Sequence, residues 1–219
     1  MSATEDVRPT VSDHVDGHVH VYPPRYVRSK RVRAVLTEMD EVDRVVYAAV
    51  AGTKTPSLDN GLRHLSNAAN HSKLWFGIAG VLALTAGRSG RRAAVAGAAA
   101  IGVTSAVVNL ALKTTVVRER PNRVAAEVAA ARHVRMPRST SFPSGHSASA
   151  FAFAAAVGDV LVPASVPVHA LAAGVAYSRV HTGVHYPGDV VVGSLVGMVV
   201  GSLVGRAALR LARGPRRRN

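Results

Sequence analysis

Apolar residues gather into five stretches in the second two thirds of this chain: 74–86, 93–112, 148–162, 164–177 and 190–205. Each reads as a helix that is apolar on most of its surface, the pattern of a buried or membrane-crossing segment. A bilayer core asks for about 20 apolar residues per helix. The second and fifth stretches come near that length. The others reach it when small polar residues that pack inside a bundle extend them. Ala and Gly dominate throughout, and such residues let membrane helices approach closely. Gly193, Gly197 and Gly201 form two successive GxxxG units, read here as close packing within the chain, with a homo-oligomer through the same small-residue faces as the second reading.

The segment before these stretches has a different pattern. Residues 1–33 are polar, contain Pro9, Pro23 and Pro24, and are expected to form a disordered tail. His14, His18 and His20 lie close together there, but nothing fixes them in a ligand geometry. Residues 34–71 are amphipathic: Val35, Leu36, Met39 and Val42 share one helix face, and after a break at Thr53–Pro56 so do Leu58, Leu62 and Leu65. The apolar run 45–52 is too short to cross a bilayer, so these helices are expected at the interface or along the side of a bundle. The organisation predicted is a tail (1–33), amphipathic helices (34–71), a membrane domain (72–206) and a basic tail (207–219). Three linkers stand out: a short basic one at 87–92, a turn at Pro163, and a long Arg-rich loop at 113–142. Loops of that length in compact proteins are usually functional.

Composition narrows the classes. The 219 residues carry a formal net charge of +14. The positive charges sit between apolar stretches and at the chain ends, which suits a membrane protein. No zinc-finger spacing or RNP-like aromatic motif supports nucleic-acid binding. Cysteine is absent, which removes thiolate chemistry and Cys-based metal sites. No signal peptide is visible at the polar, acidic start.

Three polar clusters flank the apolar stretches: Lys113 to Pro121, Phe142 to His146, and Ser178 to Asp189. Two crossings separate the second cluster from the third, and a loop without a span joins the first to the second. All three can therefore meet at one end of the bundle. Lys113, Arg120 and Arg179 bring three cations there, and Arg binds phosphate through a planar fork. Ser144 and Gly145 open the following helix, whose N-terminal N–H groups bind anions. A tetrahedral dianion would suit this end. His185 and Asp189 are four apart, so a carboxylate can fix the imidazole tautomer and leave the other nitrogen free to attack. His146 would then protonate a leaving oxygen.

These motifs resemble the type 2 phosphatidic acid phosphatase (PAP2) superfamily, whose pattern is K-x6-R-P, then P-S-G-H, then S-R-x5-H-x3-D. Lys113, Arg120 and Pro121 match the first part; Pro143, Ser144, Gly145 and His146 the second; Ser178, Arg179, His185 and Asp189 the third. The resemblance implies an all-α, multi-span transmembrane bundle with the PAP2/haloperoxidase-like core, its first span replaced here by amphipathic helices. It implies His185 as a nucleophile forming phosphohistidine, Asp189 as its orienting group and His146 as acid, then base. Lys113, Arg120, Arg179, Ser144 and Gly145 would hold the phosphate oxygens, with no metal and no cofactor. The function implied is hydrolysis of a lipid phosphate monoester or diphosphate: phosphatidic acid, phosphatidylglycerol phosphate or, by preference, a polyprenyl phosphate. The rivals are a vanadate-dependent haloperoxidase and a non-catalytic membrane lipid-binding protein.

The remaining polar residues have plainer expectations. His181 reads as a loop histidine near the site mouth rather than half of a zinc pair with His185. Asn70, His71, Ser72 and Trp75 read as interfacial anchors. Asp159 is expected at a helix end beside Pro163, and Arg118, Arg123, Arg132, Arg135 and Arg138 as solvated loop charges. Arg88, Arg91, Arg92 and six Arg in 206–219 mark the opposite face as cytoplasmic by the positive-inside rule, which turns the motif face outward.

Overall fold

The computed structural model describes residues 30–115 and 118–213. His14, His18 and His20, most of the 1–33 stretch and the end of the basic tail lie outside the described residues. Among the described residues there is no strand, and seven helices exceed a single turn: α1 (Lys30–Gly52), α2 (Pro56–Ala68), α3 (Lys73–Thr85), α4 (Gly87–Ala106), α5 (Gly145–Val160), α6 (Val162–His181) and α7 (Pro187–Arg213). α4 runs on through a π-helical segment, Val107–Leu112, and a last turn, Lys113–Thr115.

α5 is the central helix, packed on α4, α6 and α7. Ala148, Ala150, Ala152, Phe153, Ala154, Ala156 and Val157 are all fully buried. Its sequence is apolar all round, and a helix of that kind is stable only when covered on every side. The glycines of α7 explain how closely it is covered. A Cβ on Gly193, Gly197, Gly201 or Gly205 would fall under 3.0 Å from α5 atoms, and at the first three the nearest atom is a backbone carbonyl oxygen. The GxxxG units therefore act within the chain, setting α7 directly on the α5 backbone. At the end of this seam the Ser144 N–H donates to the Asp189 carbonyl at 2.9 Å, which fixes the second motif against the third.

α4 with its π segment (Gly87–Leu112) and α7 over Pro187–Ala212 are long and apolar enough to cross a membrane. The basic 87–92 stretch, read as a linker, is the first turns of α4, after a left-handed Gly87 (φ 58°). α1 begins at Lys30, inside the stretch read as tail, and α7 continues to Arg213, beyond position 206. Arg, Ala and Leu at that end are good helix formers, so charge alone does not stop the helix. The α5–α6 junction falls at Leu161, with Pro163 in the first turn of α6, where its missing N–H is harmless.

α1 and α2 are tied to the bundle by buried ion pairs. Arg132, read as a solvated loop charge, is 1% exposed. It donates to Asp59 of α2 at 2.9 Å and to carbonyls at the C-terminal end of α1, Val50 at 3.1 Å among them. His181, read as a loop histidine, is the buried last residue of α6 and lies 2.9 Å from the same Asp59. A left-handed Gly183 (φ 71°) ends the helix just beyond it. Arg123 donates to the Val134 carbonyl at 2.8 Å, while Arg135 and Arg138 are exposed, as expected. Trp75, read as an interfacial anchor, is buried against Phe153 with ring centroids 5.3 Å apart. Asp159 stands near the α5 C-terminus, as the pattern predicts.

Candidate active site

The α7 N-terminus organises the site. Pro187 occupies the first helical position, so Asp189 stands three residues after Tyr186, where a carboxylate can reach back to the helix start. Asp189 Oδ2 accepts from the Tyr186 N–H at 3.0 Å and from the Ser141 hydroxyl in a short hydrogen bond. The same oxygen lies 3.4 Å from His185 Nδ1. The other face of the ring meets a donor: Arg120 Nη1 is 3.2 Å from His185 Nε2. Guanidinium cannot accept a hydrogen bond, so Nε2 carries the lone pair and Nδ1 the proton. Burial foremost, then the Arg120 and Arg179 cations, push the His185 pKa down to about 4 against the pull of Asp189. The ring is therefore neutral at pH 7 and its unprotonated nitrogen faces the cations.

Arg120 is held by four further contacts: the carbonyls of Ser139 (2.9 Å), Thr140 (3.1 Å) and Val184 (2.8 Å), and the Ser139 hydroxyl (3.4 Å), which also accepts from Lys113 at 3.1 Å. Burial lowers the pKa of both Lys113 and Arg120, and for Lys113 the neighbouring Arg120 adds to the shift. Arg179 is 1% exposed and bonds to Ser66 of α2 through Nη1, while its Nε has no partner. Buried donors are nearly always paired, so this orphan N–H beside a cation cluster is a donor left for an anion. Ser144 caps α5, accepting from the Ser147 N–H at 3.4 Å and the Ser147 hydroxyl at 3.0 Å, and Gly145 presents no side chain beside it. His146, in the first turn of α5, lies within electrostatic reach of Arg179, His185, Arg120 and Lys113. Its Nε2 is 2.9 Å from Asn70 Oδ1, so the proton sits on Nε2.

The structure thus gathers Lys113, Arg120, Ser144, Gly145, His146, Arg179, His185 and Asp189 at one end. Pro121 and Pro143 are buried in the loops that shape it. Ser178 is not among the gathered groups: its hydroxyl donates to the Val175 carbonyl at 2.6 Å inside α6. The sequence reading missed several members. Asn70 touches His146 rather than anchoring at an interface. Ser66, Ser139 and Ser141 position the cations and Asp189. Arg118, read as a solvated loop charge, is 9% exposed and bridges Asp189 (2.8 Å), Asp40 (2.7 Å) and Asp43 (2.7 Å), with its guanidinium 4.4 Å from the Tyr186 ring centroid. Asp43 also accepts from the Gly188 N–H at 2.6 Å, which places an anion at the α7 N-terminus. Arg118 sits inside the K-x6-R spacing, which signalled only its neighbours.

A helical membrane bundle whose one end holds two imidazoles, a buried carboxylate and three cations suits a membrane phosphatase. The PAP2 superfamily model matches residues 93–212, and the chain belongs to that superfamily. It is 38% identical over 155 residues to the decaprenylphosphoryl-5-phosphoribose phosphatase of Mycolicibacterium smegmatis, covering 70% of this chain and 80% of that protein. The protein of the same name from Mycobacterium tuberculosis is 36% identical over 157 residues, covering 72% and 84%. Among solved structures, Aquifex aeolicus LpxE shares the fold at a TM-score of 0.61 and 24% identity, covering 75% of this chain and 95% of that one. A transmembrane PAP2-type phosphatidylglycerolphosphate phosphatase from Bacillus subtilis does so at 0.59 and 20% identity, covering 88% and 92%.

Proposed function

We propose that this membrane phosphatase removes the terminal phosphate of a polyprenyl-linked sugar phosphate through a phosphohistidine on His185. The observation that carries the mechanism is the orientation of that ring, with Nδ1–H toward Asp189 and the Nε2 lone pair toward the cations. Nε2 attacks phosphorus, the bond from phosphorus to the leaving oxygen breaks, and His146, entering as the imidazolium with its Nε2–H held by Asn70, gives its Nδ1 proton to that oxygen. His146 then takes a proton from water, whose oxygen attacks phosphorus and releases His185 and phosphate. Lys113, Arg120 and Arg179, with the Ser144–Gly145 backbone, neutralise the charge on the transferring group, a role that metal ions fill in many other phosphoryl-transfer sites. The relatives' printed substrate supports the substrate class.

The buried ties support a crossing set without α1 and α2, in which α4 and α7 are long and apolar enough to span. Asp40, Asp43, Asp59 and Ser66 all bond to residues of the motif end, so α1 and α2 lie across that end without crossing. Arg88, Arg91, Arg92 and the α7 end are the basis for an active site that faces away from the cytoplasm; with α1 and α2 across the motif end, Lys54, Arg63 and Lys73 weigh against it.

The test is phosphate release by the detergent-purified protein from a panel of lipid phosphates with EDTA present, together with acid quench for an acid-labile phosphoenzyme. His185→Ala should abolish both signals. Release that survives His185→Ala, or that EDTA removes, would overturn the mechanism.

A further inference from the structure

α1 has two faces with different surroundings. One is polar and tied to the motif end. Asp40 and Asp43 each lie 2.7 Å from Arg118 Nη2, and Arg118 Nη1 lies 2.8 Å from Asp189. Asp43 also accepts from the Gly188 N–H at 2.6 Å, and Tyr47 packs edge-on against Tyr186 with ring centroids 5.4 Å apart. Arg132 donates to the Val50 carbonyl at 3.1 Å. These contacts run from position 40 to position 50, about 15 Å of helix, and every partner belongs to the motif end. α1 therefore lies along that end rather than projecting from it.

The other face is apolar and uncovered. Met39, Val42, Val45, Val46 and Ala49 are exposed, Val42 and Val45 by 63% and 70%. They fill an arc of about 120° centred nearly opposite Asp40. Glu38 stands at one edge of the arc and Glu41 beyond it, both exposed. We propose that this arc of α1 rests in the headgroup boundary of the bilayer that α4 and α7 cross, and that the bilayer surface thereby holds the outer support of Asp189 in place. The proposal rests on the phosphatase reading above and adds a lipid surface as the partner of a helix outside the three motifs.

Three observations select a lipid surface as the occupant. The first is position. Asp43 bonds to the second residue of α7, a helix long and apolar enough to cross a membrane, so α1 stands at the level where that span begins. The second is continuity. α7 exposes Val191, Leu195, Val199 and Leu203 at four-residue spacing, so a lipid-facing stripe starts within a turn of the residue that α1 holds. The third is pattern. A helix with one charged and one apolar face settles with the apolar side about 5–10 Å into the boundary between headgroups and acyl chains. The seating acts on the carboxylate that orients His185; the α5–α7 seam sets the spacing of His185 and His146.

The chain has no cysteine, so single introduced cysteines carry a label without background. Val42→Cys and Glu41→Cys, each labelled with bimane, are reconstituted as full chains into phosphatidylcholine vesicles that contain a lipid with a nitroxide at the top of its acyl chain. Quenching should be at least about threefold stronger at 42 than at 41. In the same vesicles, Val42→Glu combined with Val46→Glu should lower kcat for farnesylphosphoryl-5-phosphoribose by on the order of tenfold, the scale on which outer partners act on metal ligands. KM and the melting temperature should stay near the wild type, and Glu41→Gln should leave all three unchanged. Equal quenching at 41 and 42 would overturn the seating, whatever the activity. An unchanged kcat in the double variant, or a loss carried by KM alone or by a lower melting temperature, would overturn the link to Asp189. A wild type that releases no phosphate would sink the phosphatase reading and that link together, while the quenching contrast still decides the seating.

Discussion

Arg118→Ala tests the least expected part of the site. The substitution removes one guanidinium and leaves three carboxylates, Asp189, Asp40 and Asp43, facing one another, with the Asp189 side chain fully buried. Removing one partner from a buried ion pair costs about 3–5 kcal/mol, because the remaining charge has lost its compensation. At about 2–4 °C per kcal/mol for a chain of this size, the melting temperature should fall by on the order of 10 °C. Activity should fall less than in His185→Ala, since Ser141 and the Tyr186 N–H still hold Asp189 Oδ2. Outer partners that orient a metal ligand contribute about 10–100-fold; Arg118 orients Asp189 in the same way, and a kcat/KM loss in that range is expected. Arg118→Lys restores a point charge that cannot fork across the carboxylates and should recover only part of the loss. The assay pairs phosphate release with a thermal melt in the same detergent. Arg118→Ala with a kcat/KM within about twofold of wild type and an unchanged melt would refute the reasoning, since no buried charge can then have been stranded.

Three further outcomes are expected. Asn70→Ala removes the acceptor of His146 Nε2–H and should lower kcat more than it raises KM; an unchanged kcat would refute the contact. Gly197→Val forces a side chain onto the Ala148 carbonyl and should destabilise the bundle by about 1–3 kcal/mol, read as a lower melting temperature, whereas an unchanged melt would show that the helices part freely. Because the His185 pKa is lowered to about 4, the nucleophile should stay unprotonated as pH falls through 6.5, with its acid limb in kcat/KM near pH 4 once substrate ionisation is corrected. A limb near 6.5 would show a solvated imidazole.

The sequence shows much of this site because the three motifs are local and their spacings rigid. Lys113 and Arg120, Ser144 to His146, and Arg179 to Asp189 each lie within a short stretch, and counting crossings brings the stretches together. The partners that position them come from far away in the chain. Asp40, Asp43, Asp59, Ser66 and Asn70 are ordinary surface-helix residues by pattern, and only folding places them against Arg118, Arg132, Arg179 and His146. Arg132 and His181 misled for a related reason: polar residues in a polar stretch read as solvated, and burial by an amphipathic helix from elsewhere leaves no local periodic signal. The GxxxG units were legible, because a four-residue glycine repeat has few uses other than close helix contact.

That glycine contact has a consequence for how the enzyme meets its bilayer. With the α7 glycines set directly on the α5 backbone, the helices that begin at Gly145, beside His146, and at Pro187, beside His185, are expected to move as one body. A membrane that thins, thickens or bends will tilt both imidazoles together, without changing the gap between them. Catalytic alignment should therefore be less sensitive to lipid composition than substrate delivery is.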